Sequence, residues 1–145
     1  MVELSVIVPI KNESTGPKVI KELYAKLGNG TEIIVVDKSD PDMREPLYAT
    51  GAKIMVQKSS GYTAALMDGF RAAHGDIIST IDPDGTYSVD DFKRIVETLK
   101  SSDADRNACL FGLNAAKGRT HFWWTLLHLR FPVTIFLCFY LTQIS

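Results

Sequence analysis

The fold class follows from residues 53–82, KIMVQKSSGYTAALMDGFRAAHGDIISTID, in which two short apolar runs flank a helical pattern. The runs KIMV (Lys53 to Val56) and DIISTID (Asp76 to Asp82) are rich in Ile or Val, as in strands buried on both faces of a parallel sheet. Between them, apolar residues recur at 3.6-residue spacing and stop at Gly75, which is typical of an amphipathic helix. Strand, helix and strand in this order predict a right-handed βαβ unit.

The same alternation continues on both sides of this unit. LSVIVPI (Leu4 to Ile10), EIIVVD (Glu32 to Asp37) and ACLFG (Ala108 to Gly112) predict three more strands, and helical patterns occupy residues 19–27 and 92–99. We therefore predict an α/β fold with an open, mostly parallel, twisted sheet and helices on both faces.

Charge divides the 145 residues into two parts. All seventeen acidic residues lie at or before Asp105, so residues 1–105 carry about −5 and the remainder about +4. We predict one α/β domain over residues 1–121 and an apolar tail with aromatic and basic residues over residues 122–145. The net charge of −1 does not suggest a nucleic-acid partner. The chain opens into a strand rather than a signal peptide, which predicts a cytoplasmic protein.

Polar and acidic residues cluster at the ends of three predicted strands, where ligands bind in open α/β sheets. They are Asn12, Glu13, Asp37, Asp82 and Asp84, and Pro9 precedes them at the end of the first strand. Carboxylates that face one crevice repel one another unless a cation or a donor-rich ligand lies between them. A single Asp in a loop is more often solvated or caps a helix. A turn or a helix N-cap explains Asp40 and Asp42, which lie on either side of Pro41.

A stronger signal is the pair Asp82 and Asp84, which flanks Pro83 directly after the fourth strand. Residues two apart on an extended segment point the same way, so both carboxylates can reach one ligand. Pro83 lacks an N–H and has a fixed φ, which ends the strand pairing and keeps the segment extended. Two hard oxygen ligands with room for water and phosphate oxygens suit Mg²⁺ or Mn²⁺.

Taken in order, these motifs resemble glycosyltransferase family 2, whose members have the Rossmann-like GT-A fold. The similar stretches are VIVPIKNE (Val6 to Glu13), IIVVDKSDPD (Ile33 to Asp42) and GYTAALMDGFRAAHGDIISTIDPD (Gly61 to Asp84). The nearest subgroup is the dolichol- and polyprenyl-phosphate mannosyl- and glucosyltransferases. The resemblance covers about residues 3–112, which correspond to the donor half of a family member.

The resemblance implies a metal-dependent inverting hexosyltransferase that binds a GDP- or UDP-sugar and transfers the sugar to a polyprenyl-phosphate-type or glycan acceptor. It implies that Asp82 and Asp84 hold Mg²⁺ or Mn²⁺ on the diphosphate and that Asp37 accepts hydrogen bonds from the base or ribose. The remaining residues implied to line the nucleotide pocket are Pro9, Asn12, Glu13 and Gly61. No catalytic base is implied at any position of this sequence.

The sequence departs from the family pattern in several places. Lys38 replaces the second acid of the frequent D-D pair, Thr86 stands where Gln often follows the DxD, and Gly112-Leu113-Asn114 replaces G-S-R. No counterpart of the acceptor half follows residues 121–124. We therefore expect a C-terminally truncated chain that binds the donor, with turnover by this polypeptide alone in doubt.

Two interpretations of the tail, residues 122–145, stay open. Its apolar run is interrupted by His128, Arg130 and Pro132, and residues 131–141 are too few to span a membrane. It fits a segment at the membrane interface, which would make the protein peripheral at the cytoplasmic face. It fits equally a core helix that lacks its partner.

Two other functions match parts of the sequence. The string IDPDGT (Ile81 to Thr86) also fits haloacid-dehalogenase-like phosphatases, in which the first Asp is the nucleophile. Those proteins carry the string on an early strand and place a Lys and further acids well downstream, whereas no acid follows Asp105 here. A catalytically inactive nucleotide-sugar-binding remnant differs from the active transferase only in turnover.

Overall fold

One parallel sheet with helices between its strands organises the chain, in a computed structural model that describes residues 2–101 and the backbone of residues 134–135. In chain order the elements are β1 (Leu4–Ile10), α1 (Gly16–Leu27), β2 (Thr31–Asp37), α2 (Pro41–Tyr48), β3 (Lys53–Val56), α3 (Tyr62–Ala72), β4 (Ile77–Thr80), α4 (Val89–Ser101) and β5 (Thr134–Ile135). The strands pair in parallel in the order β3-β2-β1-β4-β5. The predicted open, parallel α/β sheet is confirmed.

The two central strands, β1 and β2, contribute to a core on each face of the sheet. On one face, Val6 and Val35 lie in a cluster with Leu23 of α1 and residues of α4. On the other face, Ile7 and Ile34 lie in a cluster with residues of α3. All of β1 is buried, which explains its continuous apolar sequence. The expectation of helices on both faces is also confirmed.

The edge strand β3 differs from its neighbours. Its sequence predicts burial on both faces, and that prediction is wrong, because Lys53 and Val56 are exposed and Val56 retains 51% of its accessible surface. Among the described strands, only β2 pairs with it. A four-residue strand that begins with Lys is one way in which natural sheets limit edge-to-edge association.

Around Pro41 the sequence predicts a turn or a helix cap, and the structure has the eight-residue helix α2. Asp40 is its N-cap residue and Pro41 lies in the first turn, where a missing N–H removes no helical hydrogen bond. Pro46 lies inside the helix and removes one such bond, which weakens the helical signal of the sequence. The completely buried Leu47 anchors α2 to the core beside α1.

Several predictions concern residues outside the described part of the chain. The strand predicted at residues 108–112 and most of the tail at residues 122–145 are among them. Within the tail, Thr134 and Ile135 form β5 beside Ile77 and Ile78 of β4, where we expected a helix or an interfacial segment. None of the helices within residues 2–101 is both long and apolar enough to cross a membrane.

Gly75 lies where the chain enters β4 and passes close to the backbone of β1. A Cβ atom at this position would lie 2.6 Å from the backbone nitrogen of Ser5 and 2.8 Å from the carbonyl carbon of Leu4. We expect Gly75→Ala to lower the free energy of unfolding by about 1–3 kcal/mol, because backbone atoms yield less easily than side chains.

Urea denaturation of the Gly75→Ala variant measures this loss. The matched control is Gly30→Ala, because the atoms nearest to a Cβ on Gly30 belong to the Glu3 side chain and lie 3.4 Å or more away. Equal unfolding midpoints for the two variants would contradict the prediction.

Candidate functional site

The strand order creates a switch point between β1 and β4. From β1 the chain adds β2 and β3 on one side, and then crosses back to place β4 on the other. Ligands of open α/β sheets bind in the crevice outside the carboxyl ends of strands at such a point. The loop after β1 carries Asn12 and Glu13, and the segment after β4 carries Asp82 and Asp84. These four residues therefore flank the switch point.

Asp82 and Asp84 form the acidic side of the site, and each is held by one hydrogen bond. The hydroxyl of Tyr62 donates to Oδ1 of Asp82 (3.0 Å), and the backbone N–H of Thr86 donates to Oδ1 of Asp84 (2.8 Å). Burial raises the pKa of Asp82, the Tyr62 hydrogen bond lowers it, and the negative charge of Asp84 raises it again. A cation bound at the pair would offset both effects that raise this pKa.

These carboxylates fit a divalent metal by their chemistry. Both hydrogen bonds end on Oδ1, so within residues 2–101 the Oδ2 atoms of Asp82 and Asp84 accept none. Carboxylate oxygens are the hard ligands that Mg²⁺ and Mn²⁺ prefer. The described residues contain no cluster of three or more His, Cys, Asp or Glu side chains suited to a metal. Asp82 and Asp84 therefore leave coordination positions for water and ligand oxygens.

Thr15 connects the loop after β1 with the acidic segment after β4. Its Oγ1 lies 2.5 Å from the carbonyl oxygen of Pro83 and 2.8 Å from Oε1 of Glu13. The hydroxyl has one proton and donates to one of these acceptors at a time, while the Thr15 backbone N–H also donates to Glu13 (3.1 Å). Thr15 thus brings Glu13 next to the segment that contains Asp82 and Asp84.

Asn12 connects the loop after β1 with the start of α2. Its Nδ2 donates to Oδ2 of Asp40 (3.0 Å), and its Oδ1 accepts from the Asp40 backbone N–H (2.8 Å). The Asn12 backbone N–H donates to Oγ of Ser39 (2.8 Å). Asn12 has a φ of 53°, a left-handed conformation that Asn adopts more readily than most residues. Its side chain therefore fixes the shape of this loop.

Asp37 is completely buried at the end of β2, and its carboxylate is already engaged. Nε of Arg44 donates to Oδ2, and the Ser39 backbone N–H donates to Oδ1 (3.1 Å). Arg44 also donates from Nη2 to the Ser39 carbonyl oxygen (2.7 Å). A nucleoside that binds Asp37 must therefore share these oxygens or displace Arg44.

Gly61 and Pro9 are the two other predicted pocket residues. Gly61 precedes α3 with a φ of 100°, and its carbonyl oxygen accepts from Nε2 of the buried Gln57 (2.9 Å). Pro9 is buried in β1, two residues past Ile7, where the pairing with β4 ends. Pro9 has no N–H with which to continue that pairing.

Sequence reasoning missed three residues of the site, namely Thr15, Arg44 and Tyr62. Tyr62 lies within the family-like stretch from Gly61 to Asp84, but no sequence pattern pairs it with Asp82, twenty positions away. Thr15 and Arg44 belong to segments without a distinctive pattern. Only the topology brings these side chains to the strand ends.

A comparison with known families agrees with this geometry. The family model for Glycosyl transferase family 2 matches residues 5–142. The chain belongs to glycosyl transferase family 2. The family 2 match extends beyond the residues 3–112 over which we saw resemblance and includes most of the tail. The IDPDGT string follows the fourth strand here, unlike the early strand that carries it in haloacid-dehalogenase-like phosphatases.

Curated relatives within family 2 resemble this chain over about 100 residues. The undecaprenyl-phosphate 4-deoxy-4-formamido-L-arabinose transferase of Pectobacterium atrosepticum is 30% identical over 106 residues, which cover 65% of this chain and 32% of the relative. The dolichol-phosphate mannosyltransferase of Pyrococcus furiosus is 28% identical over 110 residues, which cover 68% of this chain and 30% of the relative. The chain therefore spans about a third of the length of these relatives.

Solved structures of similar fold include a glycosyltransferase. The glucosyl-3-phosphoglycerate synthase of Mycobacterium tuberculosis, in complex with Mn²⁺, UDP and glucosyl-3-phosphoglycerate, matches with a TM-score of 0.60 and 25% identity. The match covers 70% of this family 2 chain and 41% of the synthase. The GT-A fold implied by the sequence motifs is thereby confirmed.

Proposed function

We propose that residues 2–101 form the donor-binding half of a metal-dependent, inverting hexosyltransferase that uses a GDP- or UDP-sugar. The proposal rests on the carboxylates of Asp82 and Asp84 at the switch point, each with one oxygen held by a hydrogen bond. Membership of glycosyl transferase family 2 supports it. The Mn²⁺ and UDP in the complex of the mycobacterial synthase support the choice of cofactor and donor.

In this proposal Asp82 and Asp84 hold Mg²⁺ or Mn²⁺. When bound, the ion acts as a Lewis acid that stabilises the negative charge of a departing nucleoside diphosphate. The nucleotide pocket is lined by Pro9, Asn12, Glu13 and Gly61, and Asp37 accepts hydrogen bonds from the nucleoside. The hydrogen-bonded pairs Asn12–Asp40 and Thr15–Glu13 hold the loop after β1 in one conformation. This lowers the entropic cost of ordering the loop when the donor binds.

We further propose a polyprenyl phosphate as the acceptor. The names of the two curated relatives support this choice, because both contain a polyprenyl or dolichol phosphate. A lipid acceptor would bring the protein to a membrane surface, and we propose a peripheral location at its cytoplasmic face. A nucleotide-sugar-binding protein without turnover would use the same donor site, so a transfer assay separates the two.

Binding of UDP and GDP to the full chain, with Mn²⁺ or with EDTA, tests the donor site. We expect one of them to raise the melting temperature when Mn²⁺ is present, and to do so much less in EDTA. A ligand at 100 times its Kd stabilises the native state by about 2.7 kcal/mol. The nucleoside without phosphates is the control, because it has no diphosphate for the metal to bind.

Two results would count against this function. If neither UDP nor GDP binds, the donor assignment is wrong. If binding is identical in Mn²⁺ and in EDTA, the metal assignment is wrong. Once a donor is found, transfer of its labelled sugar to a polyprenyl phosphate separates an active transferase from an inactive donor-binding protein.

A further inference from the structure

Tyr62 is a half-exposed aromatic residue whose hydroxyl is nevertheless fixed. Tyr62 is the first residue of α3 and retains 48% of its accessible surface. Its hydroxyl donates to Oδ1 of Asp82 (3.0 Å), which lies just beyond β4. The bond therefore connects two elements that are twenty residues apart in sequence. A tyrosine needed only to fill the core would be covered by apolar neighbours, and Tyr62 belongs to neither core cluster.

The backbone before Tyr62 favours this contact. Gly61 has a φ of 100°, a conformation that other residues rarely adopt, and its carbonyl oxygen is held by Gln57 (2.9 Å). Gln57 in turn donates its backbone N–H to the carbonyl oxygen of Asp37 (2.8 Å). The start of α3 is thus tied to the end of β2, and Tyr62 extends from a fixed point toward Asp82.

The two carboxylates of the candidate metal pair are held in different ways. Asp84 accepts from the N–H of Thr86, a local turn contact that any residue at position 86 except Pro could supply. Asp82 accepts from a side chain on another element. Without that side chain, the Asp82 carboxylate could rotate about its Cβ–Cγ bond, and its ordering would oppose metal binding.

We propose that Tyr62 is a positioning residue for the metal site, whose hydroxyl orients the Asp82 carboxylate so that its second oxygen is ready to bind a divalent cation. This inference rests on the proposed function, because it requires Asp82 and Asp84 to bind a metal. Groups that orient a metal ligand typically contribute about 10–100-fold to metal affinity. The hydroxyl, and not the ring, carries this role.

Titration of the full chain with Mn²⁺ alone, followed by electron paramagnetic resonance of the free ion, tests the proposal. We expect Tyr62→Phe to raise the Kd for Mn²⁺ by about 10-fold, since the variant loses only the hydroxyl. The matched control is Tyr24→Phe on α1, which removes a hydroxyl that donates to the Gly51 carbonyl oxygen (3.2 Å), and it should leave this Kd unchanged. Urea denaturation should give similar midpoints for the two variants.

Affinity for UDP or GDP in EDTA separates positioning of the metal ligand from direct contact with the nucleotide. It should be equal in Tyr62→Phe and the wild type, because the ring is retained and no metal is present. A Kd for Mn²⁺ within twofold of the wild type would overturn the role of Tyr62.

The Asp82→Asn variant distinguishes failure of this inference from failure of the proposed function. If Asp82→Asn weakens Mn²⁺ binding and Tyr62→Phe does not, the metal site stands and only the positioning role is wrong. If the wild type binds no Mn²⁺, or if Asp82→Asn binds it as the wild type does, both proposals are wrong.

Discussion

Asp82→Asn and Asp84→Asn should each abolish the Mn²⁺ dependence of UDP or GDP binding and leave the fold intact. Asparagine keeps the size of the side chain and an oxygen that can accept the hydrogen bond from Tyr62 or Thr86, but it removes the charge that holds a divalent cation. Affinity measured calorimetrically in Mn²⁺ should fall to the value in EDTA, a loss on the order of 100-fold, or about 2.7 kcal/mol.

Without metal, the same substitutions should leave the protein at least as stable as the wild type. Burial and the neighbouring charge of Asp84 both raise the pKa of Asp82, so the ionised pair is unfavourable in the native state. A neutral Asn relieves the repulsion. We expect each variant to have an unchanged or higher melting temperature in EDTA and to lose the metal dependence of nucleotide binding. Both results together indicate a pair kept for function, because the two carboxylates that bind the metal also destabilise the metal-free protein.

Asp76→Asn is the control for both substitutions. Asp76 is exposed and lies just before β4, at the opposite end of the strand from Asp82. The Asp76→Asn variant should bind nucleotide and Mn²⁺ as the wild type does. An Asp82→Asn or Asp84→Asn variant that keeps full Mn²⁺ dependence would contradict the metal assignment.

The strand ends could be predicted from sequence because the chemistry of buried strands leaves a clear pattern. The predicted bounds of β1 and β3 agree with the structure, and the acids that follow β2 and β4 are at the predicted strand ends. A continuous apolar run predicts a strand, but it does not say which strand is at the edge. That depends on the pairing order, which is why the exposure of Val56 was missed.

The partners of the acids could not be predicted, because they come from other elements. Helix α2 contains Pro46 and only one buried apolar residue, so its sequence lacks the pattern of a helix. Without α2, nothing places Arg44 against Asp37. The sequence predicts an Asp37 that is open to a ligand, whereas the structure shows a buried carboxylate in an ion pair.

This ion pair leads to the second large expected effect. Arg44→Met should lower the free energy of unfolding by about 3–5 kcal/mol, because it leaves the completely buried Asp37 without its charged partner. Methionine retains much of the aliphatic volume of arginine, so the loss reflects charge more than packing. Urea denaturation at neutral pH measures it.

Two further variants isolate the charge. Asp37→Asn combined with Arg44→Met removes both charges and should recover most of the stability, since a buried pair replaced by neutral groups is often nearly neutral in energy. Arg71→Met breaks the exposed pair with Asp68, in which the Arg71 side chain is 70% exposed, and should cost less than about 1 kcal/mol. If Arg44→Met lowers the free energy of unfolding by no more than Arg71→Met does, the Asp37–Arg44 pair does not stabilise the protein as expected.

The double variant also separates the two roles of Asp37. If Asp37 only anchors α2 through Arg44, a stable double variant will bind UDP or GDP as the wild type does. If the nucleoside also uses the Asp37 carboxylate, the double variant will be stable yet bind more weakly, by about 10-fold or more for one hydrogen bond to a charged group. We expect the weaker binding, because Asp37 lies at the end of β2, next to the loop after β1, and a nucleoside that displaces Arg44 can donate to the Oδ2 atom that Arg44 leaves.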